Sequence, residues 1–201
     1  MEAFKSLTST AVRLDIRNMD TDQVVPARFL RTTRKEGYAD FLFHDLRIAP
    51  DGTPIADFPL NRPEAAGARI LVAGENFGCG SSREGAVFAL FDANFRCVIA
   101  PSVGDIFRNN CYKNGVLPVI LPLDDVDSLG APGLEISVDL ATQTVKAAGK
   151  SYRFDIEPFW KECLFEGVDD IDLTLRYKDQ IAGFAKNHFA SQPWLALEMP
   201  K

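Results

Sequence analysis

The sequence predicts an α/β fold with a partly parallel central sheet and a smaller antiparallel part towards the C-terminus. Between residues 69 and 121, short apolar runs alternate with stretches of helical length. This order gives parallel strands joined by right-handed crossovers. Between residues 134 and 154, short alternating runs are separated by turn residues, which is typical of antiparallel hairpins.

The first elements are predicted from hydrophobic periodicity. Residues 11–16 alternate and form a first strand, which leads into a polar loop at 18–23. Residues 24–43 contain short helical pieces, of which 37–43 is the clearest. Residues 49–62 are rich in proline and glycine and are predicted as a loop.

The middle of the chain has the most regular pattern. It predicts, in order, a strand at 69–73, a helix at 83–95, a strand at 96–100, a helix at 103–113 and a strand at 116–121. The Asn-Gly pair at 114–115 ends the second helix. Pro118 indicates that the last strand lies at a sheet edge or a strand end, because proline cannot donate to a ladder.

The C-terminal third changes character. Short antiparallel strands are predicted at 134–140, 144–146 and 148–154, followed by a helix at 157–166 and helical structure in part of 170–187. Residues 1–190 are predicted to form a single domain. Residues 191–201 are predicted as a loosely held tail that Trp194 anchors.

Composition excludes several function classes. The formal net charge of the 201 residues is −6, which argues against a partner bound through nucleic-acid phosphates. With no signal peptide and no long apolar span in the sequence, we expect no membrane association and a cytoplasmic location. The four cysteines include no C-x-x-C pair, so we predict no metal site in this chain. Cys97, Cys111 and Cys163 lie in apolar stretches and are predicted as buried thiols.

The loop at residues 74–85 is the most informative feature. It carries four glycines, two serines and an arginine between a predicted strand and a predicted helix. Unpaired N–H groups and the helix dipole favour an anion at such a position. The loop matches neither phosphate-binding glycine motif and has no lysine, so a carboxylate is favoured, because arginine suits its planar geometry. The same residues also fit a capping box with Ser81 as N-cap and Glu84 at the third helical position.

Other candidate site residues are weaker by pattern alone. The polar segment at 20–23 fits a simple turn. His44 and His188 lie far apart, with no carboxylate or cysteine at ligand spacing, and are expected to be surface or packing residues. The sequence contains no G-x-S-x-G, which disfavours a Ser-His-Asp hydrolase.

Three segments together resemble the small subunit of 3-isopropylmalate dehydratase (isopropylmalate isomerase), in the aconitase superfamily. They are Asp-Thr-Asp-Gln-Val-Val-Pro-Ala-Arg-Phe-Leu at 20–30, Glu-Asn-Phe-Gly-Cys-Gly-Ser-Ser-Arg-Glu at 75–84, and Val-Ile-Ala-Pro-Ser-Val-Gly-Asp-Ile-Phe at 98–107 with Asn-Gly-Val-Leu-Pro at 114–118. The likeness runs from about residue 11 to residue 184 in the right order and spacing.

The resemblance implies the swivelling β/β/α domain of that superfamily. It also implies a separate large subunit that carries a [4Fe–4S] cluster, in a heterodimer or heterotetramer, with no cofactor bound by this chain. The reaction would interconvert 2- and 3-isopropylmalate in leucine biosynthesis by removing and re-adding water. The open iron of the partner would take the leaving hydroxyl and one carboxylate.

The resemblance also implies residue roles. Ser81 matches the catalytic serine, which acts as a base in alkoxide form, and Asp22 falls where the superfamily has an acidic residue that organises the site. Arg83, and more weakly Ser82, would bind a substrate carboxylate. Thr21 and Arg31 are the further substrate-binding candidates.

Two departures from the family pattern bear on the substrate. Gly85 stands where the family usually has histidine, and His-Asp-Leu-Arg at 44–47 replaces Asn-Asp-Trp-Arg. A hydro-lyase acting on a smaller dicarboxylate, of the methylmalate and citraconate type, is therefore an alternative. A carboxylate-binding module without enzymatic activity is another.

Overall fold

A mixed sheet lies at the centre of the N-terminal part of the chain. The computed structural model describes residues 1–34 and 37–195. The chain divides into two units, Met1–Gly167 and Val168–Lys201. The predicted domain bounds, 1–190 and 191–201, stay a prediction, and residues 196–201 lie outside the described residues.

The sheet of the first unit has the order β4-β3-β2-β1-β5-β6-β7 among the described residues. Its strands are β1 (Ser6–Leu14), β2 (Ile70–Ala73), β3 (Cys97–Ala100), β4 (Leu117–Ile120), β5 (Glu135–Asp139), β6 (Thr144–Ala147) and β7 (Lys150–Arg153). Strands β1 to β4 pair in parallel, whereas β1, β5, β6 and β7 pair antiparallel. The predicted partly parallel sheet with an antiparallel extension is confirmed.

Eight described α-helices accompany the strands. They are α1 (Thr21–Val24), α2 (His44–Arg47), α3 (Glu84–Asp92), α4 (Asp105–Lys113), α5 (Leu123–Ser128), α6 (Pro158–Glu166), α7 (Asp170–Leu175) and α8 (Lys178–Ser191). Short 3₁₀ helices lie at Ala27–Arg31, Ala39–Phe41, Pro59–Asn61, Pro63–Ala65 and Pro193–Leu195. None of the helices in this part of the chain combines the length and apolar character needed to cross a bilayer.

Apolar burial explains the parallel half. Every residue of β2 and β3 is buried, because a parallel sheet is covered on both faces and its strands are continuously apolar. Alternate residues point to opposite faces. Leu71 and Val98 therefore belong to one core cluster, and Ile70 and Ile99 to another.

The structure corrects several predicted elements. The helix predicted at 83–95 spans only Glu84–Asp92, and within 37–43 only Ala39–Phe41 is helical, as a 3₁₀ turn. The polar loop at 18–23 contains the start of α1, because Asp20 and Gln23 form a capping box. Trp194 is 76% exposed, so the prediction that it anchors the tail is wrong.

Other predictions are confirmed. Pro118 lies in β4, which is an edge strand of the sheet. Cys97, Cys111 and Cys163 are buried. Burial raises the pKa of the thiols of Cys97 and Cys111, because the low-dielectric interior disfavours the thiolate.

An ion pair between Arg28 and Asp45 joins the 3₁₀ helix Ala27–Arg31 to α2. The guanidinium of Arg28 donates through Nη1 to Oδ2 of Asp45 at 2.7 Å. This hydrogen bond is the main cause that lowers the pKa of the Asp45 carboxyl to about 2.

Replacing Arg28 with alanine is expected to return the pKa of Asp45 towards about 3.9, the ordinary aspartate value. Since the folded pKa is depressed, the pair stabilises the fold above the ordinary pKa, and this contribution disappears as pH falls through about 2. NMR titration of the carboxyl carbon tests the pKa, and denaturation at several pH values tests the stability gap. Arg62→Ala is the control, because Arg62 donates to the carbonyl of Asp57. An unchanged Asp45 pKa in Arg28→Ala would contradict the assignment.

Candidate active site

Three loops meet at one edge of the parallel sheet. They follow the carboxyl ends of β1, β2 and β3 and comprise residues 15–20, 74–83 and 101–104. Ligands of open parallel sheets bind at this edge, outside the carboxyl ends of the strands. The glycine-rich segment is the middle loop, with one neighbouring loop on each side.

Backbone hydrogen bonds tie the first loop to the glycine-rich loop. They run from the N–H of Asn18 to the carbonyl of Glu75 at 2.8 Å, from Gly78 to Met19 at 2.7 Å, and from Thr21 to Cys79 at 2.9 Å. Asp20 and Cys79 also form a parallel β-bridge. The chain that leads into Ser81 and into Asp22 is therefore fixed by backbone contacts.

Ser102 ties the third loop to the same segment. Its hydroxyl accepts from the N–H of Asn76 at 2.8 Å, and its carbonyl accepts from the N–H of Phe77 at 3.2 Å. The N–H of Gly104 donates to the carbonyl of Phe77 at 2.9 Å. Sequence reasoning gave Ser102 no role, although its position just after a parallel strand was a usable signal.

Two glycines of the middle loop occupy the left-handed region. Gly78 has φ +71° and Gly80 has φ +92°, a conformation that glycine adopts without a Cβ penalty. A Cβ on Gly78 would lie 2.3 Å from Cγ of Phe107, and one on Gly80 would lie 3.3 Å from Cβ of Asp20. Because neither residue has a Cβ, the loop can approach both Phe107 and Asp20 closely.

Replacing Gly78 with alanine is expected to destabilise the fold by about 2–4 kcal/mol, from left-handed strain plus overpacking. Phe107 is buried and cannot yield easily. Gly149→Ala is the matched control, because Gly149 has φ +77° and open space around it. Chemical denaturation compares the two variants. Equal losses of stability would show that the Phe107 contact contributes nothing.

The helix after the loop begins later than the capping-box interpretation predicts. Its N-cap is Arg83, in an extended conformation and without a side-chain capping bond. An N-cap carbonyl accepts the first helical hydrogen bond. The carbonyl of Ser81 instead accepts from Oγ1 of Thr21 at 2.9 Å, so the prediction of Ser81 as N-cap is wrong. Ser81 and Ser82 precede α3 in sequence as a separate exposed stretch.

The predicted site residues differ in exposure. Thr21 is 1% exposed, and its hydroxyl holds the Ser81 carbonyl, which favours a positioning role over substrate contact. Ser81 and Ser82 are exposed. Within residues 1–34 and 37–195, their hydroxyls take part in no recorded hydrogen bond, so both are available to a ligand.

Arg83 and Asp22 form an ion pair through Nη1 and Oδ1. The Arg83 side chain is 21% exposed and the Asp22 side chain 47%. The pair connects the two segments that sequence analysis singled out, and it orients the guanidinium of Arg83 towards Asp22. A guanidinium has five donors, so donors other than the one directed at Asp22 remain for a carboxylate.

The start of α3 also contacts the 3₁₀ helix Ala27–Arg31. A Cβ on Gly85 would lie 2.9 Å from Cδ2 of Leu30 and 3.3 Å from Cε1 of Tyr38. These two side chains therefore occupy the space beside position 85, where a larger residue would have to displace them. Arg31 is exposed at the end of the same 3₁₀ helix and forms no recorded ion pair with the described residues.

The described part of the chain provides no metal centre. Among its residues, no group of three or more histidine, cysteine, aspartate or glutamate side chains could hold a metal ion. These residues therefore do not fit an iron–sulfur cluster. His44 contacts Arg28 and Asp45, and His188 stacks on Phe184.

Family models match most of the chain. A model described as "Aconitase C-terminal domain" matches residues 1–123, and one described as "LeuD_N" matches 129–158. A third, which describes the C-terminal domain of the 3-isopropylmalate dehydratase small subunit, matches 170–198.

Similar proteins include the 3-isopropylmalate dehydratase small subunits of Paramagnetospirillum magneticum and Parvibaculum lavamentivorans. They are 48% and 46% identical, over 97% of this chain and 100% of each relative. A crystal structure of 3-isopropylmalate dehydratase from Methanocaldococcus jannaschii superposes with a TM-score of 0.67 at 28% identity, over 89% of this chain and 99% of the other. The chain belongs to the family of 3-isopropylmalate dehydratase small subunits, whose N-terminal domain is related to the C-terminal domain of aconitase.

Proposed function

We propose that this chain is the small subunit of a hydro-lyase that interconverts 2-isopropylmalate and 3-isopropylmalate in leucine biosynthesis, and that it works with a large iron–sulfur subunit. The observation that carries the proposal is the stretch Ser81-Ser82-Arg83 at the carboxyl edge of the sheet, in which both serines are exposed and Arg83 is paired with Asp22. The full-length similarity to small subunits supports it. The exposure of both serines suits a half-site that a second polypeptide completes.

Ser81 is proposed as the base. Its Oγ would take the proton from the carbon next to a substrate carboxylate, and the electron pair of that C–H bond would form the C=C bond as hydroxide leaves the adjacent carbon. When bound, the cluster of the partner would supply a Lewis acid for that hydroxyl. Rehydration of the double bond in the other orientation then gives the isomer.

A serine needs help to act as a base, because an alkoxide is strongly disfavoured in water. The guanidinium of Arg83, two residues along the chain, and the N-terminal end of α3, which begins at Glu84, both favour negative charge. The bond from Thr21 to the Ser81 carbonyl holds the backbone while leaving the hydroxyl exposed. This arrangement supports preorganisation of the base by neutral and positive groups.

Arg83 is proposed to bind a substrate carboxylate, with Ser82 as a second donor. Charge-assisted, two-pronged contacts of this kind suit arginine in particular. Asp22 orients the guanidinium through their ion pair. Arg31 is a candidate for a second carboxylate, since it lies on the 3₁₀ helix that contacts the start of α3 through Leu30.

Reconstitution tests the proposal. The purified chain is mixed with the large subunit from the same genome, and dehydration is followed with isopropylmalate and, separately, with methylmalate. We expect activity only in the mixture and a higher kcat/KM with isopropylmalate. Preference for methylmalate would support the smaller-dicarboxylate alternative. Tight dicarboxylate binding by the isolated chain in calorimetry, without activity in the mixture, would support a binding module.

A further inference from the structure

The C-terminal unit has an extensive exposed apolar surface. No described residue of α7, α8 or the 3₁₀ helix Pro193–Leu195 is buried. Eight large apolar side chains of this unit are exposed: Ile171, Leu175, Tyr177, Ile181, Phe184, Phe189, Trp194 and Leu195. We call this set the C-terminal apolar face.

The spacing of the exposed side chains along α8 places several of them on one side of the helix. Tyr177, Ile181, Phe184 and His188 follow one another at intervals of four, three and four residues, which places them on one side of a helix. The ring of Phe184 stacks on His188 at 5.5 Å, and His188 packs edge-on against Phe189 at 5.8 Å. A surface helix normally buries such a stripe.

The exposed area is large enough for a specific interface. The four aromatic residues, Tyr177, Phe184, Phe189 and Trp194, are 58%, 69%, 46% and 76% exposed. With about 150–250 Å² for each aromatic side chain, they present roughly 400–600 Å². The four aliphatic residues add to this area, towards the ~800 Å² per partner of a standard protein–protein interface. Large exposed apolar areas are typical of interaction sites where the side chains lie together, as Phe184, His188 and Phe189 do.

The family models that match the two units of the chain differ in name. Residues 1–123 match a model named as the C-terminal domain of aconitase, whereas 170–198 match one named for the small subunit itself. The relatives, matched over their whole length, are separate small subunits. The segment whose matching model is named for the small subunit, a protein that acts with a large subunit, is therefore the one that carries the exposed apolar side chains.

We propose that the C-terminal apolar face is a docking surface for the large subunit, with Phe184 and Trp194 as its anchors. This inference rests on the proposed function. It assigns to the C-terminal unit the task of retaining the partner, distinct from the chemistry at Ser81. Aromatic anchors of this kind carry much of the binding energy in protein–protein interfaces.

The test titrates a fixed amount of large subunit with the full chain and measures activity. We expect Phe184→Ala combined with Trp194→Ala to raise the concentration for half-maximal activity by about tenfold or more, with an unchanged plateau. Phe159→Ala is the matched control, because Phe159 is 44% exposed on α6 of the other unit. Inactivity of the wild-type mixture would count against the proposed function, whereas normal half-saturation by the double variant would overturn only the docking surface.

Two further measurements distinguish the large subunit from a second copy of this chain, and from the rest of the chain itself, as the partner of this face. Sedimentation of the isolated chain shows whether the double variant loses self-association, and thermal unfolding shows whether it loses stability. A change in either, with half-saturation unchanged, would assign the face to a second copy or to the chain itself and would overturn the proposal. Weakened half-saturation with both unchanged would support it.

Discussion

Replacing Ser81 with alanine is expected to lower kcat of the reconstituted enzyme by about 10²–10⁴-fold, the usual contribution of a positioned general base. The side chain of Ser81 is exposed, and its backbone carbonyl, which accepts from Thr21, is retained in the variant. The fold and the association with the large subunit should therefore be unchanged. Steady-state kinetics at saturating partner measures the effect.

Ser82→Ala is the matched control for this variant. Ser82 is also exposed and is the adjacent residue of the same stretch, but its proposed role is only a second contact to the carboxylate. We expect a rise in KM of a few-fold, roughly the net value of one hydrogen bond. If Ser82→Ala lost activity and Ser81→Ala kept it, the two assignments would have to be exchanged.

Replacing Arg83 with lysine is expected to reduce kcat/KM by about 10–100-fold, mainly through KM. Lysine keeps the positive charge but cannot make the planar two-pronged contact to a carboxylate. It also loses the fixed geometry of the ion pair with Asp22. A rise in KM with unchanged kcat would show that the lost contact stabilises the bound ground state and the transition state equally.

Arg62→Lys serves as the control, because Arg62 is exposed and donates to the carbonyl of Asp57 outside the site. It should leave both kcat and KM unchanged. Arg83→Lys with wild-type KM for both isopropylmalate isomers would contradict the assigned carboxylate contact. The remaining role of Arg83 would then be structural, through its ion pair with Asp22.

The strands of the sheet could be predicted because the sequence patterns that mark them are local. The apolar run of β2 reflects a strand that is buried on both faces of a parallel sheet. The proline of β4 has no N–H to donate, which restricts it to an edge strand or a strand end. The position of the glycine-rich loop followed from the same pattern. Helix α5 gave no comparable signal, since only Val126 of its residues is buried.

The errors arose where a distant contact decided the local structure. Ser81 fits a capping box by spacing, but its carbonyl is bound by Thr21, sixty residues earlier in the sequence. Thr21 stays a substrate-binding candidate, but the burial of its side chain and the bond from its hydroxyl to the Ser81 carbonyl could not be predicted from local sequence. The ion pair of Arg83 with Asp22 also depends on tertiary approach. No local pattern contains that information.

We propose above all that Oγ of Ser81, in alkoxide form, removes the carbon-bound proton at a surface completed by the large subunit. Single-turnover dehydration by the reconstituted Ser81→Ala enzyme, with substrate affinity measured by calorimetry on the same complex, tests it most directly. We predict affinity within about threefold of wild type, because no binding contact to Ser81 is proposed, and a dehydration rate at least about 100-fold lower. Dehydration at a near wild-type rate with bound substrate would contradict the claim.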